Sequence, residues 1–257
     1  MIVVAIVIAF VVGVFFMVPR PQTPIAKAID EFYGTSVASN EAVFLFMNES
    51  TFLVKTTNHV MLIDPGNKIR GDDVNWLKKL DLILVTHTHS DHFNVNATIN
   101  IQAKTGASVL VNLGAYASLD GKIVASKLVQ IQPNENKTVV DVSVKAILAV
   151  HPGTLPLMYV FSVDGVSMFT GSDSGYSADL ISYAGQAKIA MVPTGWPSPS
   201  ASPAEALKMV QAMQPQKVIC IHGTAAQNDS LKTSLSQQMP YVDVTIAENL
   251  KTFKIKL

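Results

Sequence analysis

Cysteine is nearly absent from this chain: Cys220 stands alone among 257 residues. One thiol closes no disulfide within the chain and builds no cysteine zinc cluster. An excess of either charge is also missing, with 19 Lys+Arg against 19 Asp+Glu. A nucleic-acid-binding surface needs a basic excess or stripe, and neither is present. No repeat occurs at solenoid periods, which excludes a stacked-repeat architecture. No G-x-S-x-G elbow occurs either. The stretch Gly171-Ser172-Asp173-Ser174-Gly175 has Asp where a nucleophilic serine would stand, which argues against the usual serine hydrolase. Histidine is scarce as well, six in all, so where the histidines cluster is informative.

Charge is missing locally too. Met1 to Val18 contains no charged and no strongly polar side chain. Its length falls in the range of a spanning helix, about 17–25 residues, rather than the roughly 7–15 of a signal-peptide core. It lacks the basic start of a signal peptide, and the Ala26-Lys27-Ala28 triplet that could serve as a cleavage site lies well past it. The sequence predicts a single-pass transmembrane anchor over residues 1–18, hence a membrane location, with a cleaved signal as the alternative. The side stays open. Arg20 and Lys27 favour a cytoplasmic domain, whereas sequons at Asn48, Asn96, Asn136 and Asn228 are compatible with export. Pro19, Pro21 and Pro24 then make a stiff spacer. Residues 19–40 read as this linker plus a short amphipathic helix, and 41–257 as one domain.

Within that domain, short apolar runs bounded by turn residues predict strands at Ala42–Met47, Thr51–Lys55, His59–Ile63, Leu82–Val85 and Ser108–Val111. Further strands are expected at Leu128–Ile131, Thr138–Val150, Met158–Val163, Val166–Phe169, Lys188–Val192, Lys217–Ile221, Val242–Ile246 and Thr252–Lys256. Helices are expected over Asn94–Lys104, Ser177–Tyr183 and Asp229–Gln238, and from Ser202 to Met213, where Ser202-Pro203-Ala204-Glu205 has the form of a capping box. Strand meanders followed by alternating strands and helices suggest two sheets with helices packed outside.

The chemistry is concentrated where Leu82–Val85 ends. There the chain reads Thr86-His87-Thr88-His89-Ser90-Asp91-His92, an H-x-H-x-D-H pattern holding half of its histidines. Imidazole and carboxylate are the ligands that hold Zn, Mn or Fe. Three more candidates, His151, Asp173 and His222, each lie just where an apolar strand meets a Gly-containing turn. Ligands at strand ends on a rigid sheet form a preorganised site. His59 follows Thr57-Asn58 at an expected hairpin turn and reads as a surface residue. Cys220 shares a strand face with His222 by alternation, and reads as a buried core thiol.

These residues carry a resemblance. The chain is similar, over about residues 41–257, to the metallo-β-lactamase superfamily of metal-dependent hydrolases. It resembles most the branch that includes ascorbate-6-phosphate lactonases and the N-acylphosphatidylethanolamine phospholipase D. An apolar strand ends in Asp64-Pro65-Gly66, and the H-x-H-x-D-H run, a strand-end His, a Gly/Asp turn and a last strand-end His follow in family order. The resemblance implies a four-layer αββα sandwich of two mixed β-sheets, to which the expected N-terminal transmembrane helix would be appended. It implies two divalent ions, Zn first, with Mn or Fe as alternatives. His87, His89 and His151 would hold one ion and Asp91, His92 and His222 the other, with Asp173 bridging. Asp64 would support the ligands without binding metal, as buried carboxylates orient ligating imidazoles. One departure is Ser172 before Asp173, where Gly is commoner in the family.

Two such ions about 3.5–4 Å apart can share a water and lower its pKa towards about 7, giving a hydroxide that attacks a carbonyl carbon or a phosphorus. Asp91 or Asp173 would accept the nucleophile's proton. The expected enzyme is a membrane-anchored binuclear hydrolase of an ester, lactone or phosphodiester, acting on a small or lipid-like substrate. A nuclease of the same superfamily, a mononuclear iron oxygenase on this fold and a non-catalytic metal-binding scaffold are the alternatives. Neutral charge counts against nucleic acid as a partner. Specificity is expected in the loop Thr194–Ser200, where Trp196 could stack on a ligand.

Overall fold

The computed structural model describes residues 22–195 and 200–257. Its strands form two seven-stranded mixed sheets. The first runs β14-β1-β2-β3-β4-β5-β6. Its members are β1 (Glu41–Phe46), β2 (Phe52–Lys55), β3 (Val60–Ile63), β4 (Leu82–Val85), β5 (Ser108–Val111), β6 (Leu128–Gln130) and β14 (Thr252–Lys256). The second runs β13-β12-β11-β10-β9-β8-β7. It comprises β7 (Asn136–Val139), β8 (Val142–Leu148), β9 (Leu157–Val163), β10 (Val166–Thr170), β11 (Ile189–Pro193), β12 (Lys217–Ile221) and β13 (Asp243–Ile246). β3 to β6 are parallel, as are β10 to β13, and the remaining pairs in each sheet are antiparallel.

Period-two alternation assigns each strand two buried faces. Ala42, Phe44 and Phe46 of β1, Leu82 and Leu84 of β4, and Ile219 and Ile221 of β12 meet in the core between the sheets. Val43, Leu45, Ile83 and Val85 point the other way, under α1 (Pro24–Gly34), α2 (Val95–Thr105) and α3 (Leu113–Leu119). Val218 and Cys220 face α4 (Pro203–Met213) and α5 (Ala225–Gln238) across the second sheet. The result is the expected αββα layering. Burial on both faces explains why these strands read as continuous apolar runs.

Local signals set the helix ends. Thr23 caps α1 ahead of Pro24, and Ser202 with Glu205 forms the capping box of α4. The Lys55 ammonium donates to the carbonyls of Phe32 and Tyr33 at 2.9 and 3.1 Å, closing the C-terminal end of α1 against the sheet.

The expected transmembrane helix and membrane location are corrected here. Among the described residues no helix is long and apolar enough to cross a membrane. The longest, α5, has 14 residues, about 21 Å at 1.5 Å per residue, against a hydrocarbon core of about 30 Å. Residues 1–18, on which that expectation fell, lie outside the described residues, as does Trp196. Two smaller corrections follow. The single strand expected over Thr138–Val150 is the hairpin β7–β8, turned at Val140 and Asp141 with φ of 45° and 63°. The helix expected at Ser177–Tyr183 is a 3-10 segment, Ala178–Tyr183.

Candidate metal centre

The parallel strands bring their carboxyl ends to one edge of the sandwich, and the residues just beyond those ends converge there. β4 delivers His87, His89, Asp91 and His92 in one turn, closed by the His92 and Phe93 amides donating to the His89 carbonyl. β3 delivers Asp64, β10 Asp173 and β12 His222, while His151 follows β8. The motif loop sits directly on Gly66. The Gly66 amide donates to the His92 carbonyl at 2.9 Å, and a Cβ at Gly66 would lie 2.2 Å from the Asp91 carbonyl oxygen. With φ at 47° as well, only glycine fits there.

Two sets of four ligand atoms result. His87, His89, His151 and Asp173 form one, and Asp91, His92, Asp173 and His222 the other; within each set the atoms lie within 4.8 Å of one another. Asp173 belongs to both through different oxygens. Its Oδ1 is 2.6 Å from His222 Nε2 and 3.0 Å from His92 Nε2. Its Oδ2 is 3.8 Å from His151 Nε2 and 4.0 Å from His87 Nε2.

These contacts are close, yet His87 Nε2 and both Asp173 oxygens are buried without a hydrogen bond of acceptable geometry. Imidazole nitrogens also face each other, His92 Nε2 to His222 Nε2 at 3.1 Å and His151 Nε2 to His89 Nδ1 at 3.0 Å. Buried polar atoms that converge without pairing suit a cation between them. A donor set of imidazole and carboxylate without thiolate suits Zn, Mn or Fe. Cys220 contributes nothing to it. It packs in the outer core under α4 and α5, opposite Ile219 and Ile221, and the backbone leaves extended geometry at His222, where φ is 44°.

The carboxylates and imidazoles shift one another. Burial and the neighbouring imidazoles push His87 down to about 2, with Asp173 offsetting only part. Burial also disfavours a charged His92, but Asp64, Asp173 and Asp91 outweigh it and hold His92 well above the ordinary imidazole value. Asp91 ends at about 2, because its contacts with His92 exceed the opposing effect of burial. Asp173 is lowered further by His222 and His92, again against burial.

Around the ligands lies a hydrogen-bonded layer. Asp64 Oδ1 accepts from the Thr86 amide, and Oδ2 accepts from the Thr86 hydroxyl, all at 2.8 Å, with His92 Nδ1 at the same distance from Oδ2. Tyr159 in β9 donates its hydroxyl to the Val85 carbonyl at 2.8 Å, and the Leu157 amide donates to the Thr86 carbonyl at 3.0 Å. These two bonds tie the motif to the opposite sheet. Sequence reasoning missed Thr86 and Tyr159, which carry no signal beyond being a hydroxyl before the motif and an aromatic in a strand. His59 sits in its expected turn, partly exposed, and its Nδ1 lies 3.1 Å from both oxygens of Asp164, at the end of the strands away from the metal ligands.

A cavity of ≈ 320 Å³ opens beside His222. Asn48, Glu49, Thr224, Asn228 and Asn249 supply its polar lining, and no lysine or arginine does.

Known proteins resemble this chain in sequence and in fold. A family described as "Beta-lactamase superfamily domain" matches residues 59–223. A UPF0173 protein from Pyrococcus abyssi is 30% identical over 82% of this chain and 97% of its own length. A UPF0173 metal-dependent hydrolase from Thermococcus kodakarensis is 28% identical over 69% of this chain and 82% of its own. Among solved structures, Igni18, a metallo hydrolase from Ignicoccus hospitalis, superposes with a TM-score of 0.71 at 18% identity, covering 84% of this chain and 99% of that one.

Proposed function

Because the chain belongs to the beta-lactamase superfamily domain family and is a metal-dependent hydrolase, we propose that it cleaves an ester, lactone or phosphodiester with two divalent ions. The observation that carries this reading is the sharing of Asp173 between two four-ligand sets. His87, His89 and His151 would hold one ion, Asp91, His92 and His222 the other, and Asp173 one oxygen to each. The N/O donor set favours Zn, with Mn or Fe as alternatives. Divalent ions held there would supply Lewis acidity and lower the pKa of bound water.

The protein's own groups do the rest. Asp173 is ionised and almost wholly inaccessible, which suits it to fixing charge between the two sets. Asp91 is ionised too, but 32% of its side chain reaches solvent. It is the carboxylate placed to accept a proton from an attacking water at Oδ2 and pass it outward. Asp64 supports the arrangement by holding His92 Nδ1, which leaves Nε2 to face the ligands.

The cavity beside His222 offers amide and hydroxyl groups and the Glu49 carboxylate, and no lysine or arginine. Such a lining suits a neutral polar substrate over a multiply charged phosphate. The test joins metal analysis of the purified protein to a panel of ester, lactone, thioester and phosphodiester substrates. About two divalent ions per chain are expected, with turnover in one class. Asp91→Asn is expected to lower kcat by about 10²–10⁴ and to weaken retention of the ion held with His92 and His222. A metal-loaded wild type that turns over none of these substrates would overturn the reading, and one iron per chain would overturn the binuclear centre.

A further inference from the structure

Leu113, Leu148, Val150 and Leu155 are large apolar side chains left between 36% and 54% exposed. Two of them, Val150 and Leu155, lie on the loop that carries His151, and that loop is pinned beside the ligands at three places. At its start the Val150 amide donates to Ser174 Oγ and the Gly175 amide donates to the Val150 carbonyl, both at 2.9 Å. At its end the Leu157 amide donates to the Thr86 carbonyl at 3.0 Å. Between these points stands the wholly buried side chain of Asn112. Its Oδ1 accepts from the Ala115 amide, capping α3, and its Nδ2 donates to the carbonyls of Thr154 and Leu155 at 2.7 and 3.1 Å. With a backbone N–H on one side and two carbonyls on the other, this amide has one orientation.

Asn112 thereby holds Leu155 in the left-handed region, at φ 47°. A leucine is unfavourable there and glycine is suited. Partial exposure means that burial offsets little of that cost. Backbone strain enforced by its surroundings points to function before stability. Leu148 pairs with Leu157, and the Ala149 amide donates to the Pro156 carbonyl at 2.9 Å, which sets Leu148 across the loop from Leu155. Leu113 follows Asn112 and opens α3 beside the same loop. Apolar residues exposed singly need no explanation, but a run of them bordering a site does. This run borders His151 of the first ligand set, whereas the polar cavity borders His222 of the second. We infer that Leu155, with Leu113, Leu148 and Val150 around it, determines specificity by taking an acyl or alkyl chain of the substrate, whose polar part lies on the His222 side. Such a chain and the rim remove apolar surface from water together. This assignment, which rests on the hydrolase reading above, narrows the substrate to an amphiphile.

The metal-loaded protein is given three homologous series with alkyl chains of about two to ten carbons: 4-nitrophenyl esters, alkyl-substituted γ-lactones and alkyl 4-nitrophenyl phosphodiesters. In the class that turns over, kcat/KM should rise by up to about 4-fold per added methylene until the rim is covered. Leu155→Gly removes the side chain and relieves the backbone. It should cut the preference for an eight-carbon over a two-carbon chain by about 10-fold or more, with an unfolding midpoint at or above that of wild type. A purely structural leucine would leave that preference where it was. Val150→Ala should lower the same ratio. Binding is read separately in methyl carbon spectra with 1-octanol. The Leu155 and Val150 methyls should shift, and those of Val124, exposed on the α3–β6 connection, should not. A kcat/KM independent of chain length, or equal shifts at Val124, overturns the inference and leaves the hydrolase reading in place. Octanol shifts at the rim without turnover of any series overturn the hydrolase reading and leave the apolar site standing. Shifts that appear on concentrating the protein without octanol assign the rim to a second copy of the chain and overturn the inference.

Discussion

Asp64 and His92 meet at 2.8 Å, carboxylate Oδ2 to imidazole Nδ1, and neither side chain reaches solvent. The same carboxylate holds Thr86 by its amide and its hydroxyl. Replacing Asp64 with Ala leaves His92 and the Thr86 amide facing a void. Breaking a buried charged pair in this way costs about 3–5 kcal/mol. Urea unfolding of metal-free Asp64→Ala should show a loss of that order, and metal affinity should fall about 10–100-fold. An unchanged metal affinity would show that Asp64 has no part in orienting the ligands.

The raised pKa of His92 gives the metal-free protein a pH signature. A group whose folded pKa is raised stabilises fully below its unfolded value, about 6.5 for His. That contribution is lost as pH rises through the folded pKa. A cation at Nε2 must displace the proton, so metal affinity should increase with pH and binding near neutrality should release protons. Calorimetry in buffers of different ionisation enthalpy measures the release directly. Heats that do not depend on the buffer would contradict a protonated His92.

Asp91 acts at the acid end. Its folded pKa is lowered to about 2, so its contribution is present above the unfolded value of about 4 and disappears as pH falls through about 2. Asp91→Asn should flatten the acid limb of the metal-free stability curve between those values. An acid limb unchanged in this variant would remove the His92–Asp91 interaction from the account.

Asp164 lies at the opposite edge of the sandwich. It accepts from the Thr56 hydroxyl at 2.7 Å, the Asn58 amide at 2.8 Å and the Asn58 side chain at 3.1 Å, and also faces His59. These bonds join the β2–β3 turn of one sheet to the β9–β10 turn of the other. Asp164→Ala should cost about 1–3 kcal/mol in unfolding free energy while metal stoichiometry and turnover stay at wild-type levels. A loss of metal would mean that the two edges are coupled.

Burial pushes the Cys220 thiol up to about 12. Native protein should therefore resist thiol reagents that react rapidly once it is unfolded. Cys220→Ala should keep the full metal complement, and any loss of bound metal in that variant would reopen a thiolate role.

The sequence spoke most clearly where one physical constraint dominates. Strands buried on both faces, such as Leu82–Val85, appear at their predicted positions, as does the Ser202 cap. The candidate ligands were legible because histidine is rare and each marks a strand end. Other features depend on neighbours distant in sequence. The β7–β8 turn is made by Val140 and Asp141 with positive φ, of which only Asp141 is a usual turn former and Val140 hides the turn inside an apolar run. α3 was missed because it is seven residues long and contains Gly114. That glycine answers to tertiary packing, since its Cβ would lie 3.0 Å from Thr88 Cγ2 and 3.3 Å from Thr154 Cβ. Thr86 and Tyr159 act across the sheets, and the positive φ at His222 is invisible to strand alternation.

The ligand candidates come from β4, β8, β10 and β12, strands of both sheets and both halves of the chain. During synthesis the set therefore stays incomplete until His222 has emerged and the second sheet has closed on the first. Neither ligand group is whole before Asp173, so no early intermediate can trap a cation in native coordination. Uptake of the ion then serves as a time stamp on the last stage of assembly.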